Sequence, residues 1–213
     1  MVVWLREQKK QVVNRKRVTR LMEILGLEAV YPKPKLSQPG HTLYPYLLEG
    51  VKIDRVDQVW STDITYIRLK QGFCYLVAVL DWYSRFILSW SLSVTLDKKF
   101  CLDALRAALR CGRPEVFNSD QASQFTSTNF TGELLKRKIS ISMDGRRRYF
   151  DNIFTERLWR LLKQEEVYLK EYQQVSDAQQ EIGAWIEFYN HRRPYQSLGY
   201  RTPAAIYRTG GVE

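Results

Sequence analysis

The sequence is poor in the residues that build zinc sites and disulfide frameworks. It contains two histidines and three cysteines, and Cys74, Cys101 and Cys111 are widely spaced and odd in number. Such a set fits a reducing compartment in which the thiols serve as small core residues. It also leaves no Cys/His arrangement at the spacing that zinc sites use. These absences argue against a disulfide-rich secreted protein and against a zinc enzyme.

Long apolar runs are also missing. The most apolar region, residues 73–90, is interrupted by Asp81 and Arg85, so it is unsuited to span a membrane. The first ten residues include the cations Arg6, Lys9 and Lys10 and lack the long apolar run of a signal peptide. We therefore expect neither a membrane partner nor secretion.

The sequence has instead an excess of positive charge. Its 213 residues include 33 Lys and Arg against 23 Asp and Glu, which gives a formal net charge of +10. The length and a hydrophobic content of 45% allow one well-packed core with appendages. The charge favours a polyanionic partner, most simply nucleic acid, although a merely soluble basic protein has the same composition.

Residues 1–45 predict a basic helical arm followed by a proline-rich linker. Asn14 is placed to cap a helix whose apolar stripe includes Val18 and Leu25 and which ends near Gly26. Two interpretations of its cations are equally favoured, namely DNA contacts from part of a helix-turn-helix and a solvated basic face. These cations are Arg15, Lys16, Arg17 and Arg20.

From residue 46 onwards the pattern predicts an α/β fold. Three strand-like segments with short connections, residues 58–69, 73–80 and 85–94, are expected to form an antiparallel meander. Two later strands alternate with helices and are expected to pair in parallel. The expected result is a mixed five-stranded sheet flanked by helices over residues 46–170. A C-terminal helix and a basic, turn-rich tail, residues 171–213, are expected to complete the core.

Three of the acidic residues stand out by their predicted positions. Asp63 lies within a strand, where a solvated Asp is disfavoured, and Asp120 directly follows one, where α/β folds place ligands. Glu156 begins a predicted helix, with Arg160 and Lys163 on the following turns. Clustered carboxylates bind divalent metal ions, and a pair of such ions cleaves and joins phosphodiesters. The ordinary alternatives are a strand or turn partner for Asp63, an Asx turn for Asp120, and a Glu156–Arg160 ion pair.

Several neighbouring residues receive purely structural interpretations. Asp81 is expected to lie in a turn or to pair with Arg85. Glu165 and Glu166 are expected at the surface, and Trp159 is expected at the edge of the core rather than as a platform for a nucleic-acid base.

Ordered motifs give the sequence a family resemblance. Residues 13–22 and 189–203 flank four of them, which are WSTDITYI (60–67), LDWYSR (80–85), NSDQASQFTS (118–127) and DNIFTERLWR (151–160). Together they resemble the bacterial insertion-sequence transposases encoded as paired reading frames, OrfA and OrfB, and the chain is similar to OrfB. Several motifs in order are far more specific than any single one. The sequence departs from the family at Ala122, where a glycine is common and a positive φ would strain alanine.

The resemblance implies an RNase H-like integrase core with Asp63, Asp120 and Glu156 as a catalytic, metal-binding DDE triad. It further implies two Mg²⁺ or Mn²⁺ ions per active site, cleavage at the 3′ end of the element, and transfer of that end to another phosphodiester. The implied partners are the ends of the element, target DNA, OrfA or an OrfA–OrfB fusion, and further copies of the chain. The implied location is the bacterial cytoplasm, in association with the nucleoid.

Basic residues near the triad are the expected DNA contacts. Arg160 and Lys163 are assigned to phosphates beside the metal ions, and a preceding loop contributes Arg146, Arg147 and Arg148. Weaker candidates in the tail are Arg192, Arg193 and Arg201. Two other functions remain open from the sequence: a DNA-binding remnant that has lost catalysis, and a related metal nuclease resembling ribonuclease H or a resolvase.

Overall fold

The chain divides into two compact units, Met1–Gln38 and Pro39–Glu213. The computed structural model describes residues 2–25, 44–144 and 153–210 of them. Within these ranges no helix is both long enough and apolar enough to cross a membrane. The finer division into an arm, a core and a C-terminal segment stays a prediction.

The first unit contains two helices, α1 (Val2–Lys9) and α2 (Arg15–Ile24). Asn14 caps α2 as predicted, because its side-chain oxygen accepts a hydrogen bond from the Lys16 amide at 2.8 Å. Val18 is buried, but Leu25 from the predicted apolar stripe is 68% exposed. The predicted stop at Gly26 lies outside the described residues.

The second unit alternates strands and helices after an initial run of strands, as predicted. Its elements are β1 (Val59–Arg68), β2 (Phe73–Asp81), β3 (Ile87–Ser93), α3 (Lys99–Ala108), β4 (Val116–Ser119), α4 (Thr128–Lys136), β5 (Ser140–Met143), α5 (Ile153–Glu165), α6 (Val175–His191) and α7 (Pro203–Thr209).

The five strands form one mixed sheet in the order β3-β2-β1-β4-β5. The first three strands pair antiparallel, and β4 joins β1 in parallel, as does β5 with β4. The parallel pairs are connected through helices, which is the arrangement that a crossover connection requires. The predicted α/β fold is therefore confirmed, with β1 as the middle strand.

The two faces of the sheet are covered by different helices. Trp60, Val77 and Phe117 pack on the side of α3 and α4, together with buried residues such as Leu105 and Phe130. The opposite face packs against α5 and α6 through residues that include Ile67, Leu76, Leu158, Ile182 and Trp185. The polar side chains of β1 thus face α5 and not solvent, since Ser61 is fully buried.

The surface position expected for Glu166 is wrong, whereas the Glu165 side chain stays 31% exposed. Glu166 is only 6% exposed, and its carboxylate accepts a hydrogen bond from the Tyr172 hydroxyl at 3.0 Å and pairs with Lys170 at 3.0 Å. Glu165 forms an ion pair with Arg193 at 2.7 Å. Glu166 is buried because the chain turns back over the core directly after α5 and brings Lys170 and Tyr172 onto its carboxylate.

The C-terminal tail, expected to be turn-rich, contains the helix α7. Its first residue is Pro203, and the Thr202 hydroxyl accepts a hydrogen bond from the Ala205 amide at 3.2 Å. A Thr-Pro pair is a favourable helix start, because the hydroxyl caps the helix and proline has no amide to satisfy. Ile206 is fully buried and anchors the helix to the core.

Candidate active site

Two of the three predicted carboxylates follow matching positions on adjacent parallel strands. In the β1–β4 ladder, Ser61 lies opposite Asn118. Asp63 and Asp120 each come two residues later, and Asp120 directly follows the end of β4. Residues in register on neighbouring strands point to the same side of a sheet, so the ladder itself brings these two acids together.

Helix α5 is attached to the same part of β1 by two side-chain contacts. The hydroxyls of Ser61 and Thr155 are hydrogen-bonded at 2.7 Å in a buried position. One turn later, the indole Nε1 of Trp159 donates to Oδ2 of Asp63 at 3.0 Å. Glu156 lies between these contacts in the helix, so the two bonds hold its backbone beside the strand that carries Asp63.

The electrostatics of Asp63 reflect this convergence. Burial raises the pKa of Asp63 from its usual 3.8 to about 6, and the negative charges of Asp120 and, more weakly, Glu156 also raise it. The Ile64 amide and the Trp159 indole lower the pKa by donating hydrogen bonds to the carboxylate. Both other acids predicted from the sequence therefore act on Asp63.

Asp120 has the Asx-turn contact that was its ordinary interpretation. Its Oδ1 accepts a hydrogen bond from the Ala122 amide at 3.0 Å, which opposes the rise in the Asp120 pKa caused by burial. Ala122 does not belong to the described non-glycine residues with positive φ, so alanine is unstrained here. The turn fixes one carboxylate oxygen and orients the side chain.

Glu156 is the exposed member of the three predicted carboxylates. It lies on the exposed side of α5, and within the described ranges it forms no ion pair with Arg160. No three His, Cys, Asp or Glu side chains of the described residues are arranged to hold a metal ion together. The structure thus brings Asp63 and Asp120 together as a pair and places Glu156 within electrostatic reach of Asp63.

The sequence analysis missed the link between Trp159 and the site. Trp159 is buried as expected, with 7% exposure, but its indole also orients Asp63. The available signal was its position, three residues after Glu156, which places both side chains near one side of a helix. Thr155, a polar residue on the buried side of α5, was a second unused signal.

The predicted DNA contacts fall into three groups. Arg160 and Lys163 follow Glu156 along one side of α5, with Arg160 exposed and Lys163 half-buried. In the first unit, all four predicted cations of α2 are exposed, namely Arg15, Lys16, Arg17 and Arg20. The predicted contacts Arg146, Arg147 and Arg148 lie outside the described residues.

Arg193, a weaker DNA candidate, is engaged within the protein. Two of its guanidinium nitrogens donate to the Glu165 carboxylate, one of them at 2.7 Å. Its guanidinium also lies 5.3 Å from the centre of the Tyr195 ring. Arg193 therefore fixes the tail to the end of α5.

Solved retroviral integrases have a similar fold. The HTLV-2 integrase catalytic core domain in complex with magnesium covers 71% of this chain and 96% of its own, with a TM-score of 0.55 and 18% identity. A chain of the simian T-cell lymphotropic virus intasome in complex with a PP2A regulatory subunit covers 97% of this chain and 74% of its own, with a TM-score of 0.64 and 16% identity. These similarities show the RNase H-like fold.

Sequence comparisons extend from the fold to the family. Two integrase core domain models match residues 54–148 and 137–203, and these ranges include all three predicted carboxylates. The transposase of IS629 from Shigella sonnei is 30% identical over 198 residues, which is 90% of this chain and 67% of the relative. The transposase of IS904 from Lactococcus lactis is 31% identical over 201 residues, or 90% of this chain and 79% of the relative. The chain therefore belongs to the insertion-sequence transposases that carry an integrase core domain.

Proposed function

We propose that the chain is a DDE transposase, which cleaves DNA at the 3′ ends of an insertion sequence and transfers those ends to other DNA. The observation that carries this proposal is the forced proximity of acids at the end of the β1–β4 ladder. Burial raises the pKa of Asp63 most, and the charges of Asp120 and, more weakly, Glu156 raise it further. A site that gathers like charges in this way is unfavourable by itself and becomes favourable when a cation is bound.

The donor set suits magnesium or manganese, since it consists of carboxylate oxygens. Asp63 and Asp120 fit the role of a shared pair of ligands. Glu156 is exposed and has a long side chain, so its carboxylate can turn towards that pair without disturbing the core. Two bound ions supply an activated attacking oxygen and stabilise the leaving oxygen of the phosphodiester.

The protein's own groups prepare the site for this reaction. The Trp159 indole and the Ile64 amide each hold one oxygen of Asp63, at 3.0 and 2.7 Å. The Ala122 amide holds one oxygen of Asp120. Side chains fixed in this way lose little further freedom when phosphate binds, which lowers the cost of reaching the reactive geometry.

Arg160 and Lys163 are the proposed phosphate contacts next to the carboxylates. They are four and seven residues after Glu156 in α5, and the described residues offer neither of them an ion-pair partner. The basic arm of residues 1–45 is the proposed second contact, through the cations of α2. The core of residues 46–170 and the segment of residues 171–213 carry the catalytic unit.

We further propose that the chain works at chromosomal DNA in the nucleoid, as several copies, and with OrfA or an OrfA–OrfB fusion. The resemblance to OrfB and the family membership support these partners. An intasome chain among the solved relatives of the fold supports assembly on DNA. Labelled end DNA incubated with the chain alone, and with OrfA added, measures whether OrfA is needed for cleavage.

The central test compares cleavage and joining of labelled end DNA in Mn²⁺ by the parent and by three variants, Asp63→Asn, Asp120→Asn and Glu156→Gln. Each variant keeps the shape of the side chain and removes a metal-binding charge. We expect each to lower the joining rate by at least about 1000-fold, since the acids act as one unit. Salt-sensitive DNA binding is expected to persist, because the proposed phosphate contacts are unchanged.

Asp103→Asn is the matched control for charge. Asp103 lies on α3, against the opposite face of the sheet, and its ion-pair partner among the described residues is the exposed Lys99. The Asp103→Asn variant is expected to cleave and join DNA at the parent rate. Full activity in any triad variant would remove that residue from the proposed site. An intact triad that binds DNA but never cleaves, even with OrfA, would favour the inactive remnant.

A further inference from the structure

A groove of about 430 Å³ lies between the β1–β2 hairpin and the segment after α5. Its lining includes four cations, Arg68, Lys70, Lys163 and Lys170, and a single acid, Glu171. We call it the hairpin groove. Apart from Tyr66, its lining lies outside the motifs that identify the family, at the far ends of β1 and α5.

Three aromatic side chains line the hairpin groove and remain open to solvent. Tyr66, Phe73 and Tyr168 are 57%, 58% and 72% exposed. Tyr66 is held by Tyr75, whose ring centre lies 5.2 Å away at an interplanar angle of 61°. Leaving three such rings in water forgoes the free energy that their burial would provide. A cluster of exposed rings among cations therefore points to a ligand.

The cations of the hairpin groove differ in their availability. Lys170 pairs with Glu166 and Glu181, and the Lys70 ammonium donates to the Gln173 side chain at 2.9 Å. Arg68 and Lys163 have no ion-pair or hydrogen-bond partner among the described residues. Two positive charges are thus free to meet an anion.

The hairpin groove continues from the proposed active site. Lys163 follows Glu156 by seven residues, almost two helical turns, so both lie on the same side of α5 about 10 Å apart. Arg160 lies between them on that side. A nucleic-acid strand that passes the carboxylates along this side of the helix therefore reaches the groove.

We propose that the hairpin groove binds a single-stranded segment of DNA beside the cleaved phosphate, with unpaired bases stacked on Tyr66, Phe73 and Tyr168. Exposed rings can stack only on bases whose faces are free, and in a duplex those faces are covered by neighbouring base pairs. Arg68 and Lys163 bind the phosphates of the same strand. This assignment rests on the proposed transposase function, and it adds that the DNA end is unpaired where it leaves the site.

The first test measures metal-free binding of a labelled oligothymidine and of a blunt duplex to the full chain by fluorescence anisotropy. Phe73→Ala and Tyr168→Ala are each expected to weaken oligothymidine binding roughly 5- to 140-fold, the range for loss of one base–aromatic stack. Duplex binding should change by less than about twofold, because no base face is available to these rings. Tyr168→Phe keeps the ring and is expected to bind like the parent.

Tyr200→Ala is the control for loss of an exposed ring. Tyr200 is 71% exposed, close to the value for Tyr168, and it lies outside the hairpin groove. This variant is expected to bind both DNAs like the parent. Equal losses for the oligothymidine and the duplex in Tyr168→Ala, or no loss for either, would overturn the proposal.

The second test uses salt. Arg68→Gln is expected to reduce the slope of log K against log salt for oligothymidine by about 0.7, the contribution of one single-strand phosphate contact. Arg113→Gln, an exposed cation before the start of β4, is the control and should leave the slope unchanged. An unchanged slope for Arg68→Gln would remove its phosphate contact from the proposal.

The remaining alternative occupant of the hairpin groove is a second copy of the chain. Sedimentation of Phe73→Ala and Tyr168→Ala without DNA decides this: a loss of self-association together with normal oligothymidine binding would overturn the proposal. Both binding tests contain no metal and measure no cleavage. A triad that shows no catalysis would therefore refute the proposed function without changing the binding result. Normal oligothymidine binding by the ring variants would refute single-strand binding in the hairpin groove without changing the case for the triad.

Discussion

Two carboxylates on neighbouring strands, Asp63 in β1 and Asp81 at the end of β2, occupy contrasting environments. Asp81 is fully buried and accepts three hydrogen bonds, from the Ser84 amide at 2.7 Å, the Ser84 hydroxyl at 2.6 Å and the Asp57 amide at 2.9 Å. Asp63 is half-buried and accepts two, from Ile64 and Trp159. Neighbouring carboxylates raise the pKa of both residues, through Asp120 and Glu156 at Asp63 and, more weakly than the hydrogen bonds, through Asp57 at Asp81.

The causes of the pKa shifts separate the two residues further. Burial is the largest cause for both and raises both pKa values. The next causes for Asp81 are the hydrogen bonds from Ser84, which lower its pKa, whereas for Asp63 the next cause is the charge of Asp120, which raises it. Asp81 is therefore stabilised within the protein as the predicted turn residue. Asp63 is left with a repulsion that only a proton or a cation relieves.

The largest effect on stability is expected at Asp81. Asp81→Ala leaves two amides and one hydroxyl without their acceptor in a buried position, which should lower the free energy of unfolding by about 3–5 kcal/mol. Asp81→Asn keeps one acceptor oxygen and should lose less. Urea unfolding at pH 7.5 measures both values, and a loss below about 1 kcal/mol in Asp81→Ala would show that water replaces the carboxylate.

The opposite sign is expected at Asp63 in metal-free protein. Because the folded pKa of Asp63 is about 6 and its usual value is 3.8, the folded state holds the proton more tightly, and the charged side chain destabilises the fold at higher pH. Asp63→Asn removes that charge and should raise the free energy of unfolding at pH 7.5 by about 1–3 kcal/mol. The gain should develop between pH 4 and 6 and be absent below the usual pKa of 3.8.

Added metal provides the control for this prediction. Mg²⁺ at pH 7.5 should stabilise the parent, because it binds the folded state and relieves the repulsion at Asp63. It should stabilise Asp63→Asn much less. A variant that is less stable than the parent at pH 7.5 without metal would show that Asp63, like Asp81, is a satisfied structural carboxylate.

The strands and the acids could be predicted from the sequence because their signals are local. Alternation of side chains defined β1, and the order of connections defined the mixed sheet around it. The positions of Asp63 and Asp120 followed from strand ends, and Glu156 followed from a helical pattern. Their assignment as one site required the resemblance to a known family, since periodicity alone does not show which strands become neighbours.

What the sequence could not show depends on contacts between distant segments. Trp159 and Asp63 are 96 residues apart, and only the docking of α5 on β1 joins them. Glu166 is buried because the chain reverses after α5 and brings Tyr172 onto it. A polar residue late in an amphipathic helix is normally solvated, so the helical pattern alone predicted the wrong environment for Glu166.

The smallest expected effect concerns the hydrogen bond that the Trp159 indole donates to the Asp63 carboxylate. Trp159→Phe removes the indole donor but also leaves a cavity in the core, so the single variant mixes two effects. A double-mutant cycle with Asp63→Ala cancels the cavity, because it is present with either residue at position 63 and alanine offers the indole no acceptor. We expect a coupling free energy of about 1 kcal/mol in urea unfolding at pH 8, where Asp63 is charged.

The coupling should diminish below pH 6, because a protonated Asp63 is a weaker acceptor for the indole. Direct titration supplies an independent measure: without the indole, the pKa of Asp63 should rise further above 6, since this hydrogen bond favours the charged form. A coupling near zero at pH 8 together with an unchanged Asp63 pKa would show that Trp159 only fills space. Asp63 would then differ from Asp81 more sharply still, with the Ile64 amide as its one remaining donor.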